Sequence, residues 1–517
     1  MRQRGHDDIR SSSVRRGDEP GTRTAVVVTM KPRLRGRIRR TVETLLLMGF
    51  TVVFLTHTDP EPIRGDLSHP RFEVRQVRVR SWLERVQIAM SARSVRRLER
   101  YRARVRRRHR RRVQAWVRSD FDRPPATGEP RRSLWFRVRR LHRRLRLLVV
   151  RTFRRAMRRV RRRRNAAWRW SIRTMRWALR PLHRFSRFLA YWEASAALIR
   201  AEEPDLVVSS DLPGLVGASR GARAIGSPHA HDCHELYLES TALSRLDKFL
   251  FRPFERTYMR RADVVFSVNH SIAAEYRRRY GLKRMRVVRN CAQLPDQVEP
   301  VELWRVAHLP PSATIMLYQG GFAPGRGLEV LIDGVSELPA DVALVLLGFG
   351  AMEDELWQLA ADRGISDRFR ILPAVPPEQL LSYTAGADVG LIPYQPVSRN
   401  NYYSLPNKVF EYTAVGVPII TSDLPELRKV AVSSGCGVVY DPYDPASFTA
   451  AAANLLQPSV YPQARAAALQ YGAENHWGLE RRRFETAITR LVPAGLEAPR
   501  SVDPLAVVGE RPLEALP

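Results

Sequence analysis

The sequence has few cysteines, few lysines and no long apolar run. Its three cysteines, Cys233, Cys291 and Cys436, lie far apart in 517 residues. That spacing excludes a disulfide scaffold and a cysteine-based metal motif, and it suits a reduced compartment. No apolar run reaches the ~18 residues of a membrane-spanning helix, so none is expected. Residues 1–21 are polar and charged, without the apolar centre of a secretory signal. The chain is therefore expected in the cytoplasm. No heptad array or solenoid repeat occurs, and no Asp-x-Asp pair presents a metal site; neither metal nor cofactor is expected. Lysine occurs only five times, so a lysine inside a motif stands out.

What is present is length, ordinary apolar content and a very uneven charge. A chain of 517 residues exceeds one hydrophobic core and predicts two main domains with additions. The net charge is +35, but residues 91–190 alone hold 37 arginines, no lysine and four acids, Glu99, Asp120, Asp122 and Glu129. The remainder is close to neutral. The basic character thus belongs to one insertion and not to the body of the protein.

Short apolar runs rich in β-branched residues alternate with helical patterns along both halves. In the first half TAVVVTM (24–30), TVVFLT (51–56), FEVRQVRV (72–79), PDLVVSS (204–210), DVVFSV (263–268) and RVVRN (286–290) read as strands. In the second half ATIMLYQG (313–320), VALVLLG (342–348), FRIL (369–372), DVGLIP (388–393), VPIIT (417–421) and GVVYD (437–441) do the same. Strands separated by helices imply parallel sheets covered on both faces. The fold class expected is therefore α/β, with two Rossmann-like, doubly wound parallel-sheet domains facing a cleft. The boundaries expected are a disordered tail at 1–21, an N-terminal domain at 22–300 and a C-terminal domain at 308–475. A helix at 476–495 packs back on the first domain, and a second disordered tail covers 496–517. An arginine-rich helical insertion at 81–200 interrupts the first domain.

SLPNKVFEYTAVGVPIITSD (404–423) places Ser404, Lys408 and Glu411 at i, i+4 and i+7, on one helix face, with Ser404 as N-cap and Pro406 in the first turn. A helix N-terminus with a lysine one turn in favours phosphate. A carboxylate accepts hydrogen bonds from a ribose diol. Together they suggest a nucleoside-diphosphate site. The plainer alternative is a surface Lys–Glu pair worth about 0.2–0.5 kcal/mol. Two further turns support the first reading. YQGGFAPGRGLEVLID (318–333) sets Gly320, Gly321, Gly325 and Gly327 between strand and helix with Arg326 at the mouth. LLGFG (346–350) is another strand-to-glycine turn, where Gly348 and Gly350 let backbone approach a ligand.

With these motifs in view, residues 313–456 resemble the nucleotide-sugar-binding domain of the family 4 retaining glycosyltransferases, which have the two-domain GT-B fold. YQGG…RGLEVLI, LVLLGFG, ADVGLIPY (387–394) and SLPNKVFEYTAVGVPIITSD carry the resemblance. It extends more loosely to PHAHDCHELY (228–237) and ADVVFSVNHSIAAEYRRRYG…VVRN (262–290). The resemblance implies that Glu411 holds the nucleotide ribose, that Arg326 and Lys408 hold the diphosphate, and that the amides near Ser404 and Leu405 face the phosphates. It also implies retaining, metal-independent chemistry. Two positions depart from the family pattern. Tyr403 stands where a glutamate is frequent, and Gly321 where an arginine is frequent. Asn400 and Asn401 are then the candidates to hold the donor sugar's hydroxyls.

The resemblance also puts the HEL segment at the cleft, so His234 and Glu235 are candidates to face the donor sugar or the acceptor. His229 reads as a hydrogen-bonded loop residue. Zinc on His231, Asp232 and His234 matches no structural zinc spacing. In TMKPRLRGRIRR (29–40), Arg35 and Arg37 either meet an acidic acceptor or form a solvated helix start.

Within the arginine block Leu134, Val138, Leu141, Leu145 and Leu148 recur at helical spacing, as do Met175, Leu179, Leu182 and Leu189, and five of the ten tryptophans lie between Trp116 and Trp177. Basic amphipathic helices with tryptophan suit an anionic membrane surface. A self-packed hairpin with solvated arginines is the alternative, and nucleic acid is the least expected partner. The function expected is transfer of a sugar from a nucleotide diphosphate-sugar to a glycan or lipid-linked acceptor at the inner face of the plasma membrane, in cell-surface polysaccharide synthesis. The alternatives are a polyanion- or nucleic-acid-binding protein with an inactive transferase body, or a sugar-nucleotide epimerase of similar fold.

Overall fold

The computed structural model describes residues 23–31, 34, 36–57, 67–77, 79, 180–294 and 297–492. The chain divides into two compact units, Met1–Val79 with Tyr191–Pro517, and Arg80–Ala190. Of the second unit only the start of helix Arg180–Glu202 is described. The stripes at Leu134–Leu148 and Met175–Leu179, Arg35 and both tails lie outside the described residues; the last part of the expected insertion, residues 180–200, is helical.

The first unit holds two sheets. Seven strands, β1 (Thr24–Val28), β2 (Thr51–His57), β3 (Phe72–Val77), β4 (Leu206–Ser210), β5 (His229–Cys233), β6 (Val264–Ser267) and β7 (Met285–Val287), pair in the order β3-β2-β1-β4-β5-β6-β7. Six more, β8 (Thr314–Phe322), β9 (Val342–Gly350), β10 (Phe369–Pro373), β11 (Val389–Ile392), β12 (Ile419–Ser422) and β13 (Gly437–Tyr440), pair as β10-β9-β8-β11-β12-β13. Every pairing is parallel. The reason is visible in β1 and β4: Val26, Val27, Val207 and Val208 have no exposed surface, because helices cover both faces and alternation is not required. Strand order reverses beside β1 in the first sheet and beside β8 in the second. Open α/β sheets bind ligands outside the carboxyl ends of strands at such a switch point.

Six helices matter for the site and surface: α1 (Gly36–Leu47), α2 (Asp211–Ile225), α3 (Arg245–Met259), α4 (Leu328–Ser336), α5 (Asn407–Ala414) and α6 (Trp477–Leu491). The last crosses to the first sheet. Phe484 packs on Phe266 with ring centroids 4.9 Å apart, and the fully buried Glu480 accepts from Arg289 Nε at 2.8 Å.

Several boundaries differ from the sequence-based expectation. HAHDC is a fully buried central strand, β5, not a loop. β8 and β9 run two residues further than their apolar cores, so Gly320, Gly321, Gly348 and Gly350 lie within paired strand, Gly320 opposite Gly348 and Phe322 opposite Gly350. A Cβ at Gly348 would stand 1.9 Å from the Gly320 carbonyl oxygen, and one at Gly350 would stand 2.1 Å from that of Phe322. These two glycines are required by strand approach, not by a turn. The last strand of the first sheet ends at Val287 instead of Asn290.

Candidate active site

The carboxyl ends of β8, β9 and β11 and the start of α5 surround a cavity of about 520 Å³, closed on its other side by His234 and Glu235 from the first half. Lys408, the second residue of α5, reaches back toward β8. Its Nζ lies 3.2 Å from the Tyr394 hydroxyl and 5.1 and 5.2 Å from the ring centroids of Tyr318 and Tyr394. Gly320, with φ at +135°, makes room for it: a Cβ there would stand 2.8 Å from Lys408 Nζ. Arg326 arrives from the loop before α4, and its guanidinium carbon sits 4.3 Å over the same Tyr394 ring. Two cations thus converge on one tyrosine. Burial would raise the Tyr394 pKa, but Lys408 and Arg326 outweigh it and the net shift is downward. Burial pulls the Lys408 ammonium down, and Tyr394, Tyr318 and Glu411 more than compensate, so the charge is retained.

Glu411 lies one turn further along α5. Its Oε2 accepts from Gln319 Nε2 at 2.6 Å, and Gln319 Oε1 accepts from Thr384 at 2.9 Å. This chain holds the carboxylate at the cavity edge, where burial raises its pKa against the pull of Lys408 and Gln319.

Ser404 is not the N-cap expected of it. The helix begins at Asn407 behind Pro406, with no side-chain cap, and Ser404 Oγ donates to the Asn401 carbonyl at 2.8 Å. The proline fixes an extended approach and ends the preceding turn. The consequence favours anion binding, because an uncapped helix start leaves its first amides available to a ligand. Ser404, Leu405, Pro406 and Asn407 all line the cavity. So do Gly321 and Gly348, whereas Gly350 does not appear among the lining residues.

On the opposite wall, α2 starts at Asp211, a buried aspartate held in the left-handed region at φ +51°. Its Oδ1 accepts from the His234 backbone N–H at 3.0 Å, and its Oδ2 lies 3.4 Å from Lys31 Nζ and 3.6 Å from His234 Nδ1. His234 Nε2 lies 3.2 Å from Asp232 Oδ2. Burial disfavours the imidazolium, but the carboxylates of Asp211 and Asp232 prevail and the His234 pKa is raised. A group with a raised folded pKa contributes full stability below its unfolded value, about 6.5, and loses it as pH rises through the folded value. Comparing thermal midpoints of the wild type and His234→Gln, the gap is expected to be widest in mild acid and to shrink toward alkaline pH. A gap that is flat with pH contradicts the assignment.

Glu235 Oε2 accepts from Asn400 Nδ2 at 3.2 Å, and Asn400 Oδ1 accepts from the Leu236 N–H at 2.9 Å. Both ends of the Asn400 amide therefore bridge the halves. Asn401 turns inward on its own loop and donates to the Gln395 carbonyl at 3.3 Å. Asn400 lines the cavity while making this bridge, and Asn401 does not line it.

Arg37 corrects a further expectation. It is neither an acceptor contact nor solvated. It is buried, donates to both oxygens of Asp232 at 2.7 and 2.8 Å, and donates to the Val288 carbonyl at 2.5 Å. The partner lies 195 residues away in sequence. His229 and His231 both meet Ser209 Oγ at 2.8 Å, and burial lowers their pKa values to about 3 and about 4, so they are neutral. Among the described residues no group of His, Cys, Asp or Glu is arranged to hold a metal.

Sequence reasoning missed Tyr394, Gln319, Asp211 and Lys31. Tyr394 and Gln319 stood inside quoted motifs at strand ends. Asp211 offered one signal, a polar turn directly after an apolar strand.

Two facing parallel α/β halves with a ligand cavity at their strand ends define the GT-B class. Residues 313–458 match the family Glycosyl transferases group 1, and residues 134–291 match the Glycosyl transferase 4-like domain. The chain belongs to these family 4-like glycosyltransferases. It is 30% identical to D-inositol 3-phosphate glycosyltransferase of Xylanimonas cellulosilytica over 32% of this chain and 38% of that protein. The chain thus spans well under two thirds of that relative's length. The fold resembles sucrose-phosphate synthase from Thermosynechococcus elongatus, with TM-score 0.60 and 16% identity over 92% of this chain and all of that one. It also resembles Anabaena HepE in complex with UDP, with TM-score 0.50 and 14% identity over 57% and 82% of the two chains.

Proposed function

We propose that the protein transfers a sugar from a nucleotide diphosphate-sugar to a glycan or lipid-linked acceptor, with retention at the anomeric carbon. The reading includes a site at the inner membrane face, with residues 91–190 meeting anionic lipid, and a part in cell-surface polysaccharide synthesis. The observation that carries the donor assignment is the convergence of Lys408 and Arg326 on Tyr394 beside the uncapped start of α5, with Glu411 one turn away. The glycosyltransferase relatives and the fold shared with HepE, a protein seen in complex with UDP, support the same reading. Among the described residues no helix is long and apolar enough to cross a membrane, which suits attachment from one side.

In the transfer, the bond from the anomeric carbon to the diphosphate oxygen breaks and one to the acceptor oxygen forms, through an oxocarbenium-like state. Negative charge grows on the departing phosphate. Lys408, Arg326 and the first amides of α5 are placed to stabilise it without reorganisation, and the charge work needs no metal on this reading. Glu411 orients the ribose. His234, set between two carboxylates that raise its pKa, and Glu235 face the sugar or the acceptor from the other wall. No side chain is assigned as a nucleophile.

The test is a panel of nucleotide sugars followed by thermal shift. A donor at about 100 times its Kd adds about 2.7 kcal/mol of apparent stability. One or more members of the panel are expected to raise the midpoint in the wild type and not in Glu411→Ala. If no nucleotide sugar moves the midpoint, the donor reading falls.

A further inference from the structure

Helix α3 sorts its charges. Asp247, Phe251, Glu255 and Met259 recur every four residues and are buried. Both acids of the helix are therefore on the inward row: Asp247 closes a capping box with Ser244, and Glu255 accepts from the Tyr280 hydroxyl. Arg245, Lys248, Arg252 and Arg256 recur at i, i+3, i+7 and i+11, which places them on a second, outward row. Among the described residues none of these four pairs with a carboxylate. They line an open basin of about 1010 Å³ that contains no acidic residue. Phe249 stands among them, 76% exposed, with Leu246 beside it at 46%. Phe249 is the most exposed large apolar side chain described.

We propose that the outward face of α3 docks on an anionic lipid bilayer, with Phe249 and Leu246 entering the headgroup region and the cations around them meeting lipid phosphates. Two features choose this occupant. The charge is of one sign and unpaired, which complements an anionic leaflet. Phe249 lines the same basin as the four cations, and exposed Leu246 stands one turn before it at the edge of the row, as on a helix lying in the plane of the interface. A nucleic-acid backbone would satisfy the cations and leave an exposed leucine unused. The proposal rests on the membrane location proposed above for its occupant and on none of the catalytic residues. It adds a docking element within the transferase body itself, separate from residues 91–190.

The three native cysteines are buried, so a single introduced cysteine can be labelled in the full-length chain. An environment-sensitive dye is attached at Phe249→Cys and, as a control, at Tyr443→Cys, an exposed site on the other sheet's half. Phosphatidylcholine vesicles are compared with vesicles that also contain phosphatidylglycerol. The expected result is a blue shift at position 249 with anionic vesicles only, no shift at 443, and loss of the shift when Arg252→Glu and Arg256→Glu are added. If the protein floats with anionic vesicles while the dye at 249 is unchanged, the α3 proposal is overturned and the membrane location stands. If it does not associate with the vesicles, both fail. A shift with duplex DNA and none with vesicles overturns the lipid assignment, and a shift that survives the two charge reversals overturns the role of the cations.

Discussion

Lys408→Ala is expected to lower kcat/KM for sugar transfer by about 10³-fold, roughly 4 kcal/mol of transition-state stabilisation. Lys408 is the one full charge on the helix start, and it is held by two tyrosines at 5.1 and 5.2 Å inside the cavity wall. Its removal also takes from Glu411 the stronger of the two cations, Lys408 and Arg40, that oppose its burial, so the carboxylate protonates more readily. Lys408→Arg is expected to fail as well, because the ammonium fills the space that the missing Gly320 side chain leaves and a planar guanidinium does not fit there. Rates and donor affinity measured separately check this. Lys429→Ala, an exposed lysine, is the control. A Lys408→Ala rate within about tenfold of wild type would remove the phosphate role.

Arg37→Met is expected to destabilise the protein by about 3–5 kcal/mol, a loss that denaturant unfolding will read directly. The fork from Arg37 neutralises Asp232 inside β5 and ties α1 to the end of β7 through the Val288 carbonyl. Without it Asp232 is left buried with only His234 as a partner. The pair Arg37→Met and Asp232→Leu is expected to recover much of the loss, since removing both charges removes the uncompensated one. If the single variant unfolds like wild type, the fork is not structural, and Arg37 returns as a candidate contact for an acidic acceptor.

Much of the fold was legible along the chain. Valine-rich runs with helices between them announce parallel sheets, and the eleven residues of SLPNKVFEYTA hold Ser404, Leu405, Pro406, Asn407, Lys408 and Glu411, which line the cavity. The errors share a cause. His229 reads as a loop residue because a polar side chain is costly in a core, yet it lies in a buried strand, where Ser209 meets His229 and His231, Arg37 meets Asp232, and Asp263 accepts from the His229 N–H. Gly348 and Gly350 read as a turn because a glycine after a strand usually marks one; both lie in paired strand, and Gly348 does line the cavity. Here the neighbouring strand's carbonyl oxygens exclude a Cβ. Ser404 reads as a cap because the residue type is right, but Pro406 takes the cap position and delays the helix by two residues.

What the amino-acid order determined by itself is the class: two doubly wound halves, a helix start with Lys408 and Glu411 on one face, and a separate arginine block. These follow from local periodicity and from residue type, which act over a few positions. What the tertiary structure decided is which charges are available. It consumed Arg37 on Asp232, turned Asn400 into a bridge to Glu235, placed Arg326 and Lys408 on Tyr394, and set His234 between the carboxylates of Asp211 and Asp232, which raise its pKa. A side chain is free or spent according to what lies within about 3–4 Å of it, and across a parallel sheet that neighbour is supplied by residues scores or hundreds of positions away.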